Sequence, residues 1–450
     1  MQSKPVYASG VEARRIACLF PSFRDFCDDA LFHPQWGYYS TGQVRFGEGG
    51  DYDTFPIALS PIFGRMLARY TYRFWRRAGQ PAEVEICELG AGNGQLCQDV
   101  LVHVLQPLRQ SAAWTRFAAA LRYRIIERSP ALIERQRQTL GPLGVRVRWV
   151  KADLSQHPAR RAPFAACGIV FGNEVLDCLA HHKIVPHADG TPGVVFVVPT
   201  LSGRGGPRDL DLLAGLQENT RAVPYSQLAR VLSDAKLRRQ VSFQEAVLPI
   251  DVRPELARFM RFHYPELFRR KARFQPYFAC PRMESLIRNT ARLYPISEAL
   301  WIDYGELRDF HLATGEGMRV FAGPPRSGVS VYRDPGRDDI TFMVDFSVVE
   351  AAAAYADWRV AYFGGQRELA RRSGVKLDRR IVGLIVQQRM LSWMLAVFGV
   401  GPERSWRQTG LTWNKRAGKG GRVRTDARHA VEEFLGQRHS YFKLMLLRPA

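Results

Sequence analysis

The stretch from Ile86 to Leu101 reads ICELGAGNGQLCQDVL and sets Gly90, Gly92 and Gly94 at alternate positions after an apolar run. A strand feeding such a turn, and then a helix, brings backbone N–H groups and a helix N-terminus against a ligand. A Cβ on any of these glycines would block that approach. Dinucleotide enzymes space the motif GxGxxG, with an acid about 20 residues further on for the ribose. Here the third glycine arrives one residue early and Glu88 stands just before the turn. The resulting ExGxGxG suits S-adenosyl-L-methionine, a sulfonium with no pyrophosphate to cradle. The next apolar run ends at Glu127, whose carboxylate could accept from both ribose hydroxyls, and the one after ends at Asp153, placed for the adenine amine. Carboxylates at the C-terminal edges of successive parallel strands stand where open α/β sheets bind ligands. Taken singly, a strand-end Asp is more often a cap than a ligand.

These residues need elements to hold them. AEVEICELG, LRYRIIERSP, VRVRWVKADL and FAACGIVFGNEVLD each contain a strand, and helical spacing follows the first two, from about Gln95 to Leu108 and over ALIERQRQTL. That alternation predicts an α/β fold with a parallel sheet covered on both faces. Upstream, Ser22 can cap a short helix in SFRDFCDDALF, HPQWGYYSTG reads as a ring-bearing loop, and residues 60–79 return to helical spacing. Residues 184–200 predict a hairpin around HADGTPG. From about 205 to 290 the pattern turns helical and rich in Arg and Phe; EALWIDYG then restores a buried strand, and YFKLMLL closes the chain as another. The expected organisation is an N-terminal helical and loop segment (1–80), a core of 81–204 with 291–450, and an inserted helical lobe (205–290) for substrate or partner.

Composition narrows the classes further. The 450 residues are 46% hydrophobic and 24% charged, ordinary for a soluble globular protein, and carry a net charge of +21. About 55 of the 64 basic residues are Arg, scattered through all parts of the chain, so nucleic acid is not the expected partner. Residues 402–428 hold eight basic and two acidic side chains with Trp406 and Trp413 between them. That mixture can bind single strands, but a Gly- and Arg-rich surface loop is the preferred reading. Seven cysteines form no CxxC pair, and His181, His182 and His187 lack a carboxylate at ligand spacing, so neither disulfides nor a metal site is expected. No apolar run approaches the roughly 20 residues of a membrane span. The N-terminus lacks a signal-peptide pattern, which makes the cytoplasm the expected compartment.

Up to and including FGNEVLD, the chain resembles a known family, the MidA-like S-adenosyl-L-methionine-dependent methyltransferases, which include the mitochondrial complex I assembly-factor arginine methyltransferase. DALFHPQWGYYS, GDYDTFPIALSPIFG, ELGAGNGQL, IIERSPALIERQ, NEVLD, WIDYG, DDITFMVDFS and YFKLMLL occur in the family's order. The resemblance implies a class I, Rossmann-like, mostly parallel seven-strand sheet with an added helical lobe, a mitochondrial matrix alternative for the compartment, and an acceptor protein or peptide as partner. It implies that Gly90, Gly92 and Gly94 form the cofactor turn supported by Glu88, that Glu127 holds the ribose and Asp153 the adenine, and that Asn173 and Glu174 lie beside the transferring methyl with Asp177 close behind. Gly50, Asp51, Thr54 and Pro56 would belong to a loop closing over the cofactor. The chain departs from the family at IALS after Pro56 and at NEVLDCLAHH, both on the substrate side.

An arginine acceptor keeps its charge, so its site must offer carboxylates that hold one nitrogen towards the methyl. Glu174 is the first candidate, with Asp177 and Asp51 as partners, and Asp303 could reach the same mouth. Caps at strand ends are the competing reading for Asp177, Asp303 and Asp345. Trp36, Tyr38 and Tyr39 could line an acceptor channel or simply pack on the sheet. Two other functions fit the same motifs: methylation of a small molecule or peptide in specialised metabolism, and a non-catalytic assembly factor. Acceptor identity and oligomeric state carry no sequence signal.

Overall fold

The apolar run before the glycine turn folds as strand β1 (Val84–Leu89), with all six residues buried. A strand without polar alternation suits a sheet covered on both faces. In chain order it is followed by β2 (Leu121–Glu127), β3 (Val147–Lys151), β4 (Cys167–Asn173), β5 (Ile296–Glu306), β6 (Trp358–Gly364) and β7 (Phe442–Pro449). The computed structural model describes residues 5–42, 44, 60–106, 111–156, 163–202, 220–269, 274–315, 317–321, 330–375 and 442–450. Across the sheet the order is β3-β2-β1-β4-β5-β7-β6. β1 to β5 run parallel, and β7 returns antiparallel between β5 and β6. The order reverses between β1 and β4, which makes the C-terminal edge there the topological switch point, the ligand crevice of open α/β sheets.

Helices α1 (Ile62–Arg77), α2 (Gln95–Leu105) and α3 (Pro130–Leu140) belong to the same unit as this sheet. α1 buries Phe63, Met66, Leu67, Tyr70 and Phe74, a stripe at three- and four-residue spacing. Gly64 allows it to lie against α2: a Cβ there would fall 2.4 Å from Asp99 Cβ. The α1 stripe, Ile86, Leu96, Val100, Phe117, Ile125, Ile169 and Phe171 make one continuous core.

The chain divides into two compact units, one of Met1–Gln43, Asp177–Glu284 and Glu306–Val348, the other of Val44–Leu176, Ser285–Gly305 and Val349–Ala450. The second carries the sheet just described. The first differs from the helical lobe expected at 205–290. It takes in the N-terminal 43 residues, begins again at Asp177, and is built on its own sheet. That sheet orders Val6–Tyr7, Val241–Pro249, Pro192–Ser202, His182–Pro186 and Tyr277–Ala279. Its longest ladder pairs Gly193–Leu201 with Val241–Pro249, burying Val194 to Val198. The helical pattern in RPELARFMRF is present, as Pro254–His263, but within a sheet-based unit. The predicted hairpin forms between His182–Pro186 and Pro192–Ser202, and Ser22 caps Phe23–Phe32 with a full capping box.

Candidate functional site

Strand register brings five candidate positions to one edge. Leu89 is paired with Ile126 on one side and Gly172 on the other, so Gly90 falls beside Glu127 and Asn173. Gly90 N–H donates to Ile126 O at 3.0 Å, and Glu174 N–H donates to Ile302 O at 2.8 Å, which aligns Glu174 with Asp303. The turn residues Gly90, Gly92 and Gly94 have φ of +61°, +52° and +84°. Side chains are costly in that left-handed region. A Cβ on Gly90 would also come within 3.1 Å of Val175 Cγ2, and one on Gly94 within 3.2 Å of Gln136 Cα.

Glu127 is buried at the end of β2. Its Oε1 accepts from Ser129 N–H at 2.9 Å and its Oε2 from Gln136 Nε2 at 3.2 Å. Gln136 Nε2 also donates to Gly92 O at 3.1 Å, while its Oε1 accepts from Trp149 Nε1 at 3.2 Å. One glutamine therefore ties the acid, the glycine turn and β3 together. Gln136 was not among the sequence candidates, although a signal exists. It sits on the buried stripe Leu132, Ile133, Gln136, Leu140 of α3, where an amide must find polar partners. Burial pushes Glu127 up to about 7, against the hydrogen bonds that favour its charge. Glu88, buried in β1, accepts from Tyr123 OH at 2.7 Å and is likewise pushed up to about 7 by burial. Asp153 is committed within its own loop. Its Oδ1 accepts from Ser155 N–H at 2.9 Å and Ser155 Oγ at 2.5 Å, its Oδ2 from Gln156 Nε2 at 2.7 Å, and Arg128 lies 3.3 Å away.

The end of β4 departs from regular backbone. Glu174 has φ +51°, a region that residues with a Cβ seldom enter. It is half-buried, and its Oε1 accepts from Asn173 Nδ2 at 3.0 Å. Asn173 Oδ1 is buried with no hydrogen-bond partner among the described residues. Asp303 is 1% exposed and accepts three backbone N–H groups, Val175 at 3.2 Å and Leu176 at 3.0 Å on Oδ2 and Tyr304 at 2.9 Å on Oδ1. It is thus a buried buttress of the turn after Glu174. Asp177 is the first residue of its stretch of the other unit, buried, its carbonyl accepting from Phe342 N–H at 2.9 Å. Gly50, Asp51, Thr54, Pro56 and the basic segment 402–428 lie outside the described residues.

The remaining candidates are packed within the other unit. Trp36, Tyr38 and Tyr39 are buried, with Tyr39 stacked on Phe32 and its OH donating to Asp339 at 3.0 Å. Asp345 accepts from Tyr264 OH at 2.8 Å and Tyr277 OH at 2.7 Å. His181 stacks on Phe342 and is lowered to about 3 by burial. Among the described residues no cluster of His, Cys, Asp or Glu is arranged to hold a metal ion, and no helix is long and apolar enough to cross a membrane.

The protein family described as "Putative S-adenosyl-L-methionine-dependent methyltransferase" matches residues 66–364. The chain is 35% identical over 114 residues to a Drosophila melanogaster protein named protein arginine methyltransferase NDUFAF7 homolog, mitochondrial, covering 25% of this chain and 24% of that one. It is 28% identical over 181 residues to the Xenopus tropicalis protein arginine methyltransferase NDUFAF7, mitochondrial, covering 37% of this chain and 40% of that one. These matches span about a quarter to two fifths of the relatives' length. Among solved structures, a Burkholderia thailandensis protein crystallised with S-adenosyl-homocysteine gives a TM-score of 0.61 at 20% identity, covering 100% of this chain and 95% of that one. A native structure from the same superfamily and organism gives 0.57 at 20% identity, with the same coverage. At that identity the likeness is one of fold.

Proposed function

The chain belongs to this family of S-adenosyl-L-methionine-dependent methyltransferases, and from that premise we propose that it methylates an arginine of a partner protein, with Glu174 pairing to the guanidinium. The residues fit the cofactor. Three glycines hold left-handed backbone, and at Gly90 and Gly94 a Cβ would also come within 3.2 Å of a neighbouring atom. Beside them, burial holds Glu127 near 7, so ligand hydroxyls would stabilise its charge. Asn173 Oδ1, buried and unpartnered, is an acceptor for a donor group of the ligand. When bound, the cofactor supplies an electrophilic methyl group on a sulfur that departs with the bonding electron pair. The chain's own work is then alignment and disposal of one proton from the guanidinium. Gly90, Gly92 and Gly94 would seat the cofactor against backbone, Gln136 would hold Glu127 to that turn, and Glu174 would orient the acceptor, balance its positive charge and accept the proton it loses.

The observation that carries this reading is Glu174, a half-buried carboxylate kept in left-handed backbone one strand from the glycine turn. Strained residues cluster at functional sites, and a carboxylate is what a guanidinium needs. The names of the curated relatives support an arginine acceptor. Mass spectrometry of proteins from cells lacking the chain tests it: a specific methylarginine should disappear and return with the intact gene. Glu174→Gln should leave the affinity for S-adenosyl-homocysteine within about threefold while methylation falls by orders of magnitude, on the order of 10²-fold or more. Full turnover in that variant would remove Glu174 from the chemistry, and an unchanged methylarginine profile would remove the arginine acceptor.

A further inference from the structure

We infer that Asp303 is a positioning residue, whose carboxylate fills a nest of backbone N–H groups at Val175 and Leu176 and so holds Glu174 in its left-handed conformation. Successive N–H groups turned towards one point make a concavity for an anion. In ligand-binding loops the occupant is a phosphate or a carboxylate from outside. Here the chain provides its own, because Oδ2 of Asp303 accepts Val175 N–H at 3.2 Å and Leu176 N–H at 3.0 Å.

Register explains the need. Parallel pairing of β4 with β5 ends where Glu174 N–H donates to Ile302 O at 2.8 Å. Beyond that point the chain turns away, and the next two N–H groups, on half-buried Val175 and buried Leu176, would be left without acceptors. Asp303, the residue after Ile302, stands level with them. Its other oxygen is fixed by Tyr304 N–H at 2.9 Å, so the carboxylate cannot rotate out without losing all three bonds. The same turn carries Val175, whose Cγ2 lies 3.1 Å from where a Cβ on Gly90 would be. One buried carboxylate thus fixes the backbone turn that carries the acceptor-side Glu174. The functional half of this inference rests on the reading of Glu174 as the acceptor clamp.

The test uses the full chain, with Asp303→Asn and Asp303→Ala. Amide hydrogen exchange is resolved by residue, S-adenosyl-homocysteine binding is followed by calorimetry, and labelled S-adenosyl-L-methionine is titrated with protein extract from cells lacking the chain as acceptor. Exchange at Val175 and Leu176 should accelerate by about tenfold or more while the Glu174 amide and β4 keep their protection. Ligand affinity and the KM for the donor should stay within about threefold while the maximal rate falls about 30-fold or more, with Asp303→Asn milder than Asp303→Ala. Asp303→Asn, close to isosteric, carries the test where Asp303→Ala does not fold. Unchanged protection at Val175 and Leu176, or protection lost throughout β4 and β5 together, overturns the inference. Selective loss of protection with an intact maximal rate overturns its functional half. Glu174→Gln in the same assay shows separately whether the clamp reading itself has failed.

Discussion

Binding of S-adenosyl-homocysteine is expected to release a proton near neutral pH, and Glu127 is the group that loses it. In the free protein burial holds this acid at about 7, against an ordinary 4.5. Two ribose hydroxyls donating to the carboxylate would favour its charged form and draw the value back towards 4.5. At pH 6 about nine tenths of free molecules would carry the proton, and at pH 8 about one tenth. Affinity should therefore rise about tenfold from pH 6 to pH 8, about 1.4 kcal/mol, with about 0.9 proton released per ligand at pH 6. For stability the sign is opposite. A raised folded-state value means that ionisation costs the free fold stability, a cost absent below about 4.5, growing towards pH 7 and complete above it. Calorimetry in buffers of different ionisation enthalpy measures the released proton directly. Glu127→Gln should bind more weakly at pH 8 and lose the pH dependence. A constant affinity across that range, or proton release that survives in Glu127→Gln, would refute the assignment and point to Glu88, which burial also holds near 7.

Two further variants probe the turn. Gly90→Ala must place a side chain at φ +61° and 3.1 Å from Val175 Cγ2, so it should destabilise the fold by about 1–2 kcal/mol and reduce ligand affinity more than 30-fold, on the order of 2 kcal/mol, read by thermal unfolding and calorimetry. Gln136→Leu keeps the volume but leaves Glu127 Oε2, Gly92 O and Trp149 Nε1 without their partner, and should weaken S-adenosyl-homocysteine about 10- to 100-fold, with the pH dependence moved to higher pH because Glu127 loses a hydrogen bond that favours its charge.

How much was legible follows from where each signal lies. The glycine turn, its strand and its helix are contiguous, and steric demands on Gly90 and Gly94 are written in residue type. Glu127 was found because strand ends in an α/β alternation lie on one edge. Gln136 needed a helical-face argument, in which one amide interrupts an apolar stripe. Asp303 was read as a group that could reach the mouth, because nothing in WIDYG tells a carboxylate facing a ligand from one facing backbone N–H groups. The left-handed conformation of Glu174 had no signal at all, since Asn and Gly, not Glu, advertise positive φ. The first unit's sheet was missed because its ladders join residues far apart, such as Val6 with Ala246. Between them lie the helical patterns that suggested a helical lobe.

The central claim is that the edge formed by Gly90, Gly92, Glu127, Asn173 and Glu174 is one pocket for an adenosyl sulfonium. A crystal structure of the chain with S-adenosyl-homocysteine measures this most directly. The ribose hydroxyls should lie within about 3 Å of Glu127, and the sulfur should face Glu174 across an open acceptor site. Density for the ligand elsewhere, or a ribose turned away from Glu127, would contradict it.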